Sequence, residues 1–578
     1  MKKLINDPRH LVREVLEGIL DTTPGLALLD TENVLVRWDD RPVDERPVAV
    51  LSGGGSGHEP GHAGYVGMGM LAGAIAGDVF TSPSVDAVLA GIKAVAGPRG
   101  AVLIVKNYTG DRLNFGLAAE MATAQGIPTE IVVVADDVAL RDTVAPERRR
   151  GIAGTVLVHK VAGSAAERGL PVDEVAALAR QAAEAVGTMG VALGACTVPS
   201  IGKPGFTLGE EEIEIGLGIH GEKGVERVPM QSADALVDRM VDAIVADKAL
   251  VRDQQVAILV NGLGATPPIE LTVVARRALA RAREAGLRVE RLYCGVYLSA
   301  LDMPGCSISI LPLTDALLAA LDAPTEVRVW GGDGRIAPER RILAAPATST
   351  VTRAYAKGDQ AEQIRACALA VARELIAAET HLADLDSQAG DGDLGASMVR
   401  GAEAIRALSE TAFNTPESAC AEIGDALRRA IAGSSGPFYA VGLVRAASAL
   451  QGKAEASARD WSAAFSAAVD AVEQLGGARV GNRTMIDALR PAADALAKGL
   501  ADGAEPLHAF QAAVTAAQSG ADATAEMQPS LGRAAYLGDR AKGVKDGGAV
   551  AVSLWLKAIS DEIARSREQK GGPGNLPG

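Results

Sequence analysis

Leu51-Ser52-Gly53-Gly54-Gly55-Ser56-Gly57-His58-Glu59-Pro60 follows directly on the β-branched run Val48 to Leu51. A strand that runs into a glycine loop, with a histidine at its exit, marks the edge of an α/β sheet. Backbone N–H groups there can face an anion or a hydroxyl-rich ligand. A dinucleotide-binding GxGxxG counted from Gly55 would need glycine where Pro60 stands, and no clear acidic fingerprint follows. A plain tight turn is the competing reading, and His58 speaks for a polar ligand.

Outward from this stretch, Ala101 to Val105 and Glu130 to Val134 predict further buried strands, and Val256 to Val260 repeats the pattern. Val85 to Val95 and Phe115 to Gln125 have helical spacing and end near Gly97 and Gly126. Residues 1–336 are therefore expected to form an α/β half of two α/β subdomains, split near residue 188. From Ala337 the pattern dissolves into Pro-Glu-Arg-Arg and Ala-Pro-Ala-Thr-Ser-Thr, which predicts a linker over 337–358. Beyond it the chain is alanine-rich, with helical spacing over 361–380, 416–432, 440–452, 461–475, 484–501 and 546–566. Residues 359–566 should form an all-α bundle or barrel whose loops gather polar chemistry at one end, followed by a flexible tail over 567–578.

The composition bounds the function. A chain of 578 residues exceeds one core, and 48% hydrophobic with 22% charged residues is ordinary for globular domains. A net charge of −15 argues against a nucleic-acid surface, and 3% aromatics against base-stacking platforms. Five cysteines without CxxC spacing point to a reducing, cytoplasmic setting rather than to disulfides or zinc. No signal-peptide pattern opens the sequence, and no apolar run reaches the ~20 residues of a membrane span.

Three further segments carry chemistry. Gly216-Leu217-Gly218-Ile219-His220-Gly221-Glu222 sets one of only seven histidines in a glycine-rich, acid-flanked turn. Such a turn permits close backbone approach and leaves a ring nitrogen open to a small ligand. A turn histidine satisfied by backbone hydrogen bonds competes with that reading. Lys106-Asn107-Tyr108-Thr109-Gly110-Asp111 lies at the carboxyl end of a predicted strand, where open α/β sheets bind ligands. Its lysine and aspartate can hold one hydroxyl and deprotonate another, against the alternative of simple surface solvation.

In Leu385-Asp386-Ser387-Gln388-Ala389-Gly390-Asp391-Gly392-Asp393-Leu394-Gly395, three aspartates within eight residues repel one another unless a cation neutralises them. Hard oxygen ligands on a flexible loop suit Mg²⁺ shared with phosphates. An EF-hand fails on spacing, because its sixth and twelfth positions would be Ala396 and Ala402. Glycine-marked junctions at 433–436, 481–485, 532–534 and 546–549 offer small residues at helix starts, suited to phosphate or to plain capping. No GxxxxGK[ST] loop occurs.

Taken in order, the Gly53–Pro60 loop, Lys106–Asp111, the Gly216–Glu222 turn and the Asp386–Asp393 cluster resemble the dihydroxyacetone kinase family. The match is to its ATP-dependent single-chain form, and it extends to about residue 566. The resemblance implies a ketose-binding first domain, with the ketone held as a covalent hemiaminal on His220. It further implies a substrate hydrogen bond from His58, a cradle of Lys106, Gly55 and loop amides, and Asp111 as the base for the accepting hydroxyl. Asp386, Asp391 and Asp393 match the ligands of two Mg²⁺ ions. Contacts to ATP as co-substrate would come from Leu394, Gly395, Ala396, Ser397, Ser434, Ser435, Gly476, Met485, Arg533, Asp546, Gly547 and Gly548. The expected partners are a small ketose and ATP, with no nucleic acid or membrane, in a homodimer with crossed domains.

Departures from the family pattern are Gly547 where proline is frequent and Asn482 where aspartate is common. Gly61 and Met68-Gly69-Met70 also look atypical and bear on which ketose is preferred. Dihydroxyacetone is the expected substrate, with erythrulose as the alternative and cyclisation of FAD as a side activity. A non-catalytic ketose sensor is disfavoured by the three aspartates, and a phosphotransferase-system-dependent kinase by the fused architecture.

Overall fold

The computed structural model describes residues 2–345, 355–390, 392–431, 435–529 and 542–571. The chain divides into two units, Met1–Leu343 and Ala344–Gly578. In the first, α1 (Leu11–Thr22) precedes a six-stranded sheet made of β1 (Leu26–Leu28), β2 (Val34–Arg37), β3 (Ala49–Ser56), β4 (Gly73–Val79), β5 (Ala101–Lys106) and β6 (Thr129–Val134). Its order is β1-β2-β4-β3-β5-β6. The strands from β4 to β6 run parallel, and β1 and β2 are antiparallel additions at one edge. Because β3 pairs with β4 on one side and β5 on the other, the carboxyl ends of β3 and β5 open the crevice where ligands settle in such sheets.

The glycines expected in a loop lie inside β3 itself, in register with Ile75, Ala76 and Gly77 of β4. The reason is close approach: a Cβ at Gly53 would fall 2.3 Å from Ile75 O, and one at Gly55 2.5 Å from Thr81 N. Two helices bury one face of this sheet, α2 (Val85–Val95) and α3 (Thr109–Ala124). The first matches its sequence reading. The second starts six residues before Phe115, so Asp111 stands in its first turn.

Helices α4 (Thr155–Glu167) and α5 (Val172–Ala185) lead to the second sheet. All but the last of the 13 residues of α4 are buried, so it lacks the amphipathic period that sequence reading relies on. It sits in a core that draws Val50, Val102 and Ile104 from the first sheet and Leu259 and Leu311 from the second. That second sheet comprises β7 (Gly187–Ala192), β8 (Glu212–Ile215), β9 (Glu226–Pro229), β10 (Gln255–Gly262), β11 (Arg288–Gly295) and β12 (Gly305–Pro312), ordered β11-β10-β12-β7-β8-β9. Helices α6 (Ala233–Asp247), α7 (Pro268–Glu284) and α8 (Asp315–Asp322) accompany it.

Residues 337–345 and 355–358 form neither helix nor strand. The second unit is helical among its described residues: α9 (Ala361–Ala377), α10 (Glu379–Ala389), α11 (Leu394–Arg406), α12 (Pro416–Ala430), α13 (Ser435–Ala449), α14 (Ala458–Gly476), α15 (Ile486–Ala501), α16 (Pro506–Ala523) and α17 (Gly547–Gly571). The α/β and all-helical halves are those the sequence predicts. Helix α16 escapes sequence reading because its buried face is only Ala509, Ala513, Ala517 and Ala521. Residues 567–571 of the expected tail continue α17, with Arg567 paired to Glu505, and residues 572–578 lie outside the described residues.

Candidate active site

His58 leaves β3 at the crevice and is fully buried. Its Nδ1 lies 2.9 Å from Ser299 O, and because a carbonyl only accepts, that nitrogen carries the hydrogen. The free Nε2 lone pair then faces Nε2 of His220 at 3.0 Å. Burial, reinforced by the positive charge of Lys106, drives the His58 imidazole well below its ordinary range, so it stays neutral on its own.

His220 comes from the loop of the β8–β9 hairpin. Glu222 folds back on it, accepting from its backbone N–H at 2.9 Å and from Nδ1 at 3.0 Å. Gly218 makes this possible, since a Cβ there would lie 2.0 Å from Glu222 Oε2. Burial pushes the Glu222 carboxyl up, but the hydrogen bond and charge of His220 outweigh it and hold the group at about 2. Arg150 pins the loop, its Nη2 donating to Gly216 O at 2.8 Å while its Nε donates to Asp137 at 2.7 Å. Tyr108 and Phe80 meet the His220 ring edge-on at 4.6 and 5.1 Å, and Phe80 stacks on His58 at 5.1 Å. The His220 side chain is 19% exposed, so it is the imidazole of the pair that a ligand can reach.

Lys106 ends β5 fully buried. Burial lowers its ammonium and Asp111 opposes that shift. Both groups lie over Gly54, where a Cβ would meet Lys106 Nζ at 2.6 Å and Asp111 Oδ2 at 3.3 Å. The Ser82 hydroxyl donates to Asp111 Oδ1, and Gly110 leaves it room. The structure thus brings His58, His220, Gly55, Lys106 and Asp111 to one sheet edge: an imidazole backed by a carboxylate, and a lysine and an aspartate that both lie over Gly54.

In the helical unit Asp386 and Asp393 lie at the ends of two helices. Helix α10 carries Asp386 and ends at Ala389, and Asp393 precedes the first residue of α11. Asp386 Oδ2 accepts the Leu394 N–H at 3.3 Å, which sets that carboxylate at the start of α11. Gly395 lets the two helices touch, a Cβ there falling 2.3 Å from Glu379 O. Ala396 follows in the same turn, and the buried Ser397 accepts from Arg400 at 2.9 Å. Asp546 caps α17 through Ala549 N at 2.8 Å. Burial pushes the Asp546 carboxyl up to about 6, with Asp487 and Asp386 adding to the shift against Arg483.

Hard carboxylate oxygens with a buried acid raised in this way fit a cation, which would relieve both burial and repulsion. Among the described residues no three His, Cys, Asp or Glu side chains stand close enough to hold a metal ion, and Asp391 lies outside the described residues. Ser434 and Arg533 lie outside them too.

A family model for the Dak1 domain matches residues 17–329, and one for the DAK2 domain matches residues 388–561. A tomato protein called putative 3,4-dihydroxy-2-butanone kinase is 43% identical, covering 97% of this chain and 98% of its own length. Human triokinase/FMN cyclase is 41% identical, covering 97% and 99%. The chain belongs to the dihydroxyacetone kinase family. The crystal structure of a family member, the dihydroxyacetone kinase of C. freundii in complex with AMP-PNP and Mg²⁺, matches with a TM-score of 0.62 and 35% identity over 97% of this chain and 99% of that one. The chain is accordingly an ATP-dependent kinase of the dihydroxyacetone/triose type, one that transfers phosphate to an alcohol.

Within this family frame, the other nucleotide-site expectations fall at helix ends. Ser435 opens α13, Gly476 closes α14 beneath Phe438, and Met485 caps α15. Gly547 and Gly548 begin α17, and a Cβ at Gly547 would meet Leu394 Cδ2 at 2.6 Å. Asn482 caps its own turn, accepting from Arg479 N at 2.7 Å, a role its Oδ1 shares with aspartate. Sequence reasoning passed over Glu222, Tyr108, Phe80, Ser82, Ser299 and Asp487. Glu222 and Tyr108 lay inside quoted segments, whereas Ser299 lies 241 residues from His58 and gave no signal. No helix among the described residues is long and apolar enough to cross a membrane.

Proposed function

We propose that this chain phosphorylates a short ketose, dihydroxyacetone by preference, and holds it as a hemiaminal on His220. The observation that carries the reading is the Glu222 carboxylate on Nδ1 of His220. It keeps that nitrogen protonated and presents the Nε2 lone pair to the crevice. Nε2 attacks the carbonyl carbon, and the carbonyl π pair moves to oxygen. The proton that bridged the two rings passes through His58 to that oxygen. The ring is left with a positive charge, which Glu222 balances. An alcohol offers no such electrophile, so glycerol is refused.

With the ketone tethered, Lys106 donates to the terminal hydroxyl and Asp111 takes its proton as the γ-phosphoryl group arrives. Tethering turns a bimolecular encounter into alignment, an effect worth up to roughly 7–11 kcal/mol. Asp386, Asp391 and Asp393 are proposed to hold two Mg²⁺ ions, which supply charge neutralisation for the triphosphate. The residues from Leu394 to Ser397, with Ser434, Ser435, Gly476, Met485, Arg533 and Asp546–Gly548, are proposed to hold the nucleotide. A homodimer with crossed domains is the proposed assembly. Five free cysteines suit a cytoplasmic setting.

Two relatives frame the alternatives: a ketotetrose as acceptor, after the butanone kinase, and cyclisation of a flavin nucleotide, after the triokinase/FMN cyclases. Coupled ADP release across glycerol, dihydroxyacetone, glyceraldehyde, both erythrulose enantiomers and 3,4-dihydroxy-2-butanone tests the reading. Dihydroxyacetone should give the highest kcat/KM and glycerol none. Turnover of glycerol at a comparable rate would overturn the anchoring role of His220.

A further inference from the structure

Beneath the ketose cradle, Ser52, His62 and Lys106 form a buried chain whose hydrogen-bond directions follow from valence alone. Ser52 Oγ lies 2.6 Å from Ile104 O and 3.2 Å from His62 Nδ1. The carbonyl only accepts, so the single hydroxyl hydrogen goes to Ile104, and Ser52 Oγ accepts from His62 Nδ1–H. The neutral ring then has no hydrogen on Nε2, which accepts from Lys106 Nζ at 2.8 Å. His159 of α4 backs the ring edge-on at 5.1 Å. Ser52 and Lys106 are fully buried and His62 nearly so, which leaves water no part in fixing these directions.

An ammonium has three hydrogens. His62 takes one, and Asp111 shares the space over Gly54 with Nζ but forms no hydrogen bond or ion pair with it. We propose that His62 is a positioning residue for phosphoryl transfer: by accepting one Lys106 N–H it holds Nζ off Asp111 and leaves the remaining hydrogens free for the ketose hydroxyl. Without an acceptor at Nε2, Lys106 collapses onto Asp111 and takes both donor and base out of line. The inference rests on the reading of Lys106 as part of the ketose cradle.

The test compares His62→Leu, His62→Gln and Ser52→Ala in the full chain, alone and combined with Lys106→Met. The readouts are dihydroxyacetone turnover and thermal melting. Gln offers an oxygen near the place of Nε2. His62→Leu should raise KM for dihydroxyacetone and lower kcat/KM by about tenfold or more, the scale of one hydrogen bond to a charged group. KM for ATP should not change, and His62→Gln should restore most of the loss. In the Lys106→Met background His62→Leu should add nothing. Ser52→Ala lets the ring move its hydrogen to Nε2 and should fall between, which keeps the test open if His62→Leu does not fold.

Equal loss in the Leu and Gln variants, the same loss in both backgrounds, or an unchanged KM in Ser52→Ala would overturn the inference. If Lys106→Met itself turns over normally, the cradle reading fails and the inference falls with it. If Lys106→Met is impaired while His62→Leu behaves as wild type, the positioning role alone fails.

Discussion

The Nε2 atoms of His58 and His220 face each other at 3.0 Å, and the other nitrogen of each ring is already occupied as a donor, to Ser299 O and to Glu222. Two neutral rings so fixed would point lone pair at lone pair, so the contact requires one proton between them. A ketone that takes Nε2 of His220 displaces that contact and receives its proton. The two histidines come from different sheets, and only the packing of both around α4 brings them together.

Glu222→Gln keeps a hydrogen-bond acceptor at Nδ1 but removes the charge that balances the adduct. kcat/KM for dihydroxyacetone should fall about ten- to a hundredfold, the difference between a charged and a neutral acceptor in a half-buried site. Steady-state kinetics with ATP saturating checks this, and an unchanged kcat/KM would remove Glu222 from the chemistry.

Gly55→Ala places a methyl group 2.5 Å from Thr81 N and 2.6 Å from the Phe80 carbonyl carbon, and backbone cannot give way as a side chain can. The overpacking should cost about 1–3 kcal/mol. Phe80 stacks on His58, so activity should fall further than the loss of stability explains. Melting temperature and kcat/KM measured together check the prediction.

Asp386→Asn should abolish ATP turnover, because one hard oxygen charge is lost from the proposed Mg²⁺ set. Ketone binding on His220, followed by intact mass or by isotope-labelled ligand, should persist. Loss of both would contradict the division of labour between the two units.

Acid should weaken the α/β unit through its buried histidines. Burial lowers His159 from 6.5 to about 3, and His58 and His62 are shifted in the same direction. The unfolded chain binds these protons more readily, so the stability that neutral His159 lends is full above pH 6.5 and is lost as pH falls toward 3. The slope is about 1.4 kcal/mol per pH unit per histidine. His159→Leu should flatten the fall of melting temperature between pH 6.5 and 4, and calorimetry reads this directly.

The division into an α/β half and a helical half was legible because the short, unbroken apolar run Ala101–Val105 reads as a buried strand and the 3.6-residue period of Val85–Val95 as a helix. What stayed hidden had no period: α4 is buried all round, and α16 buries only alanines. The glycines of β3 read as a loop because their purpose, contact with Ile75 and Thr81, lies on other segments. Site residues were legible where a short motif carries them, as the Gly216–Glu222 turn carries His220. Ser299, Phe80 and His62 act across chain distances that one sequence does not reveal.

The covalent claim is tested most directly by carbon-13 NMR of dihydroxyacetone labelled at C2, bound to protein carrying nitrogen-15 in its histidines. The C2 resonance should move to a tetrahedral position with a one-bond coupling to a single imidazole nitrogen, and should lose that coupling in His220→Ala. A saturated complex whose C2 remains a carbonyl, or shows no coupling to nitrogen, would contradict the account.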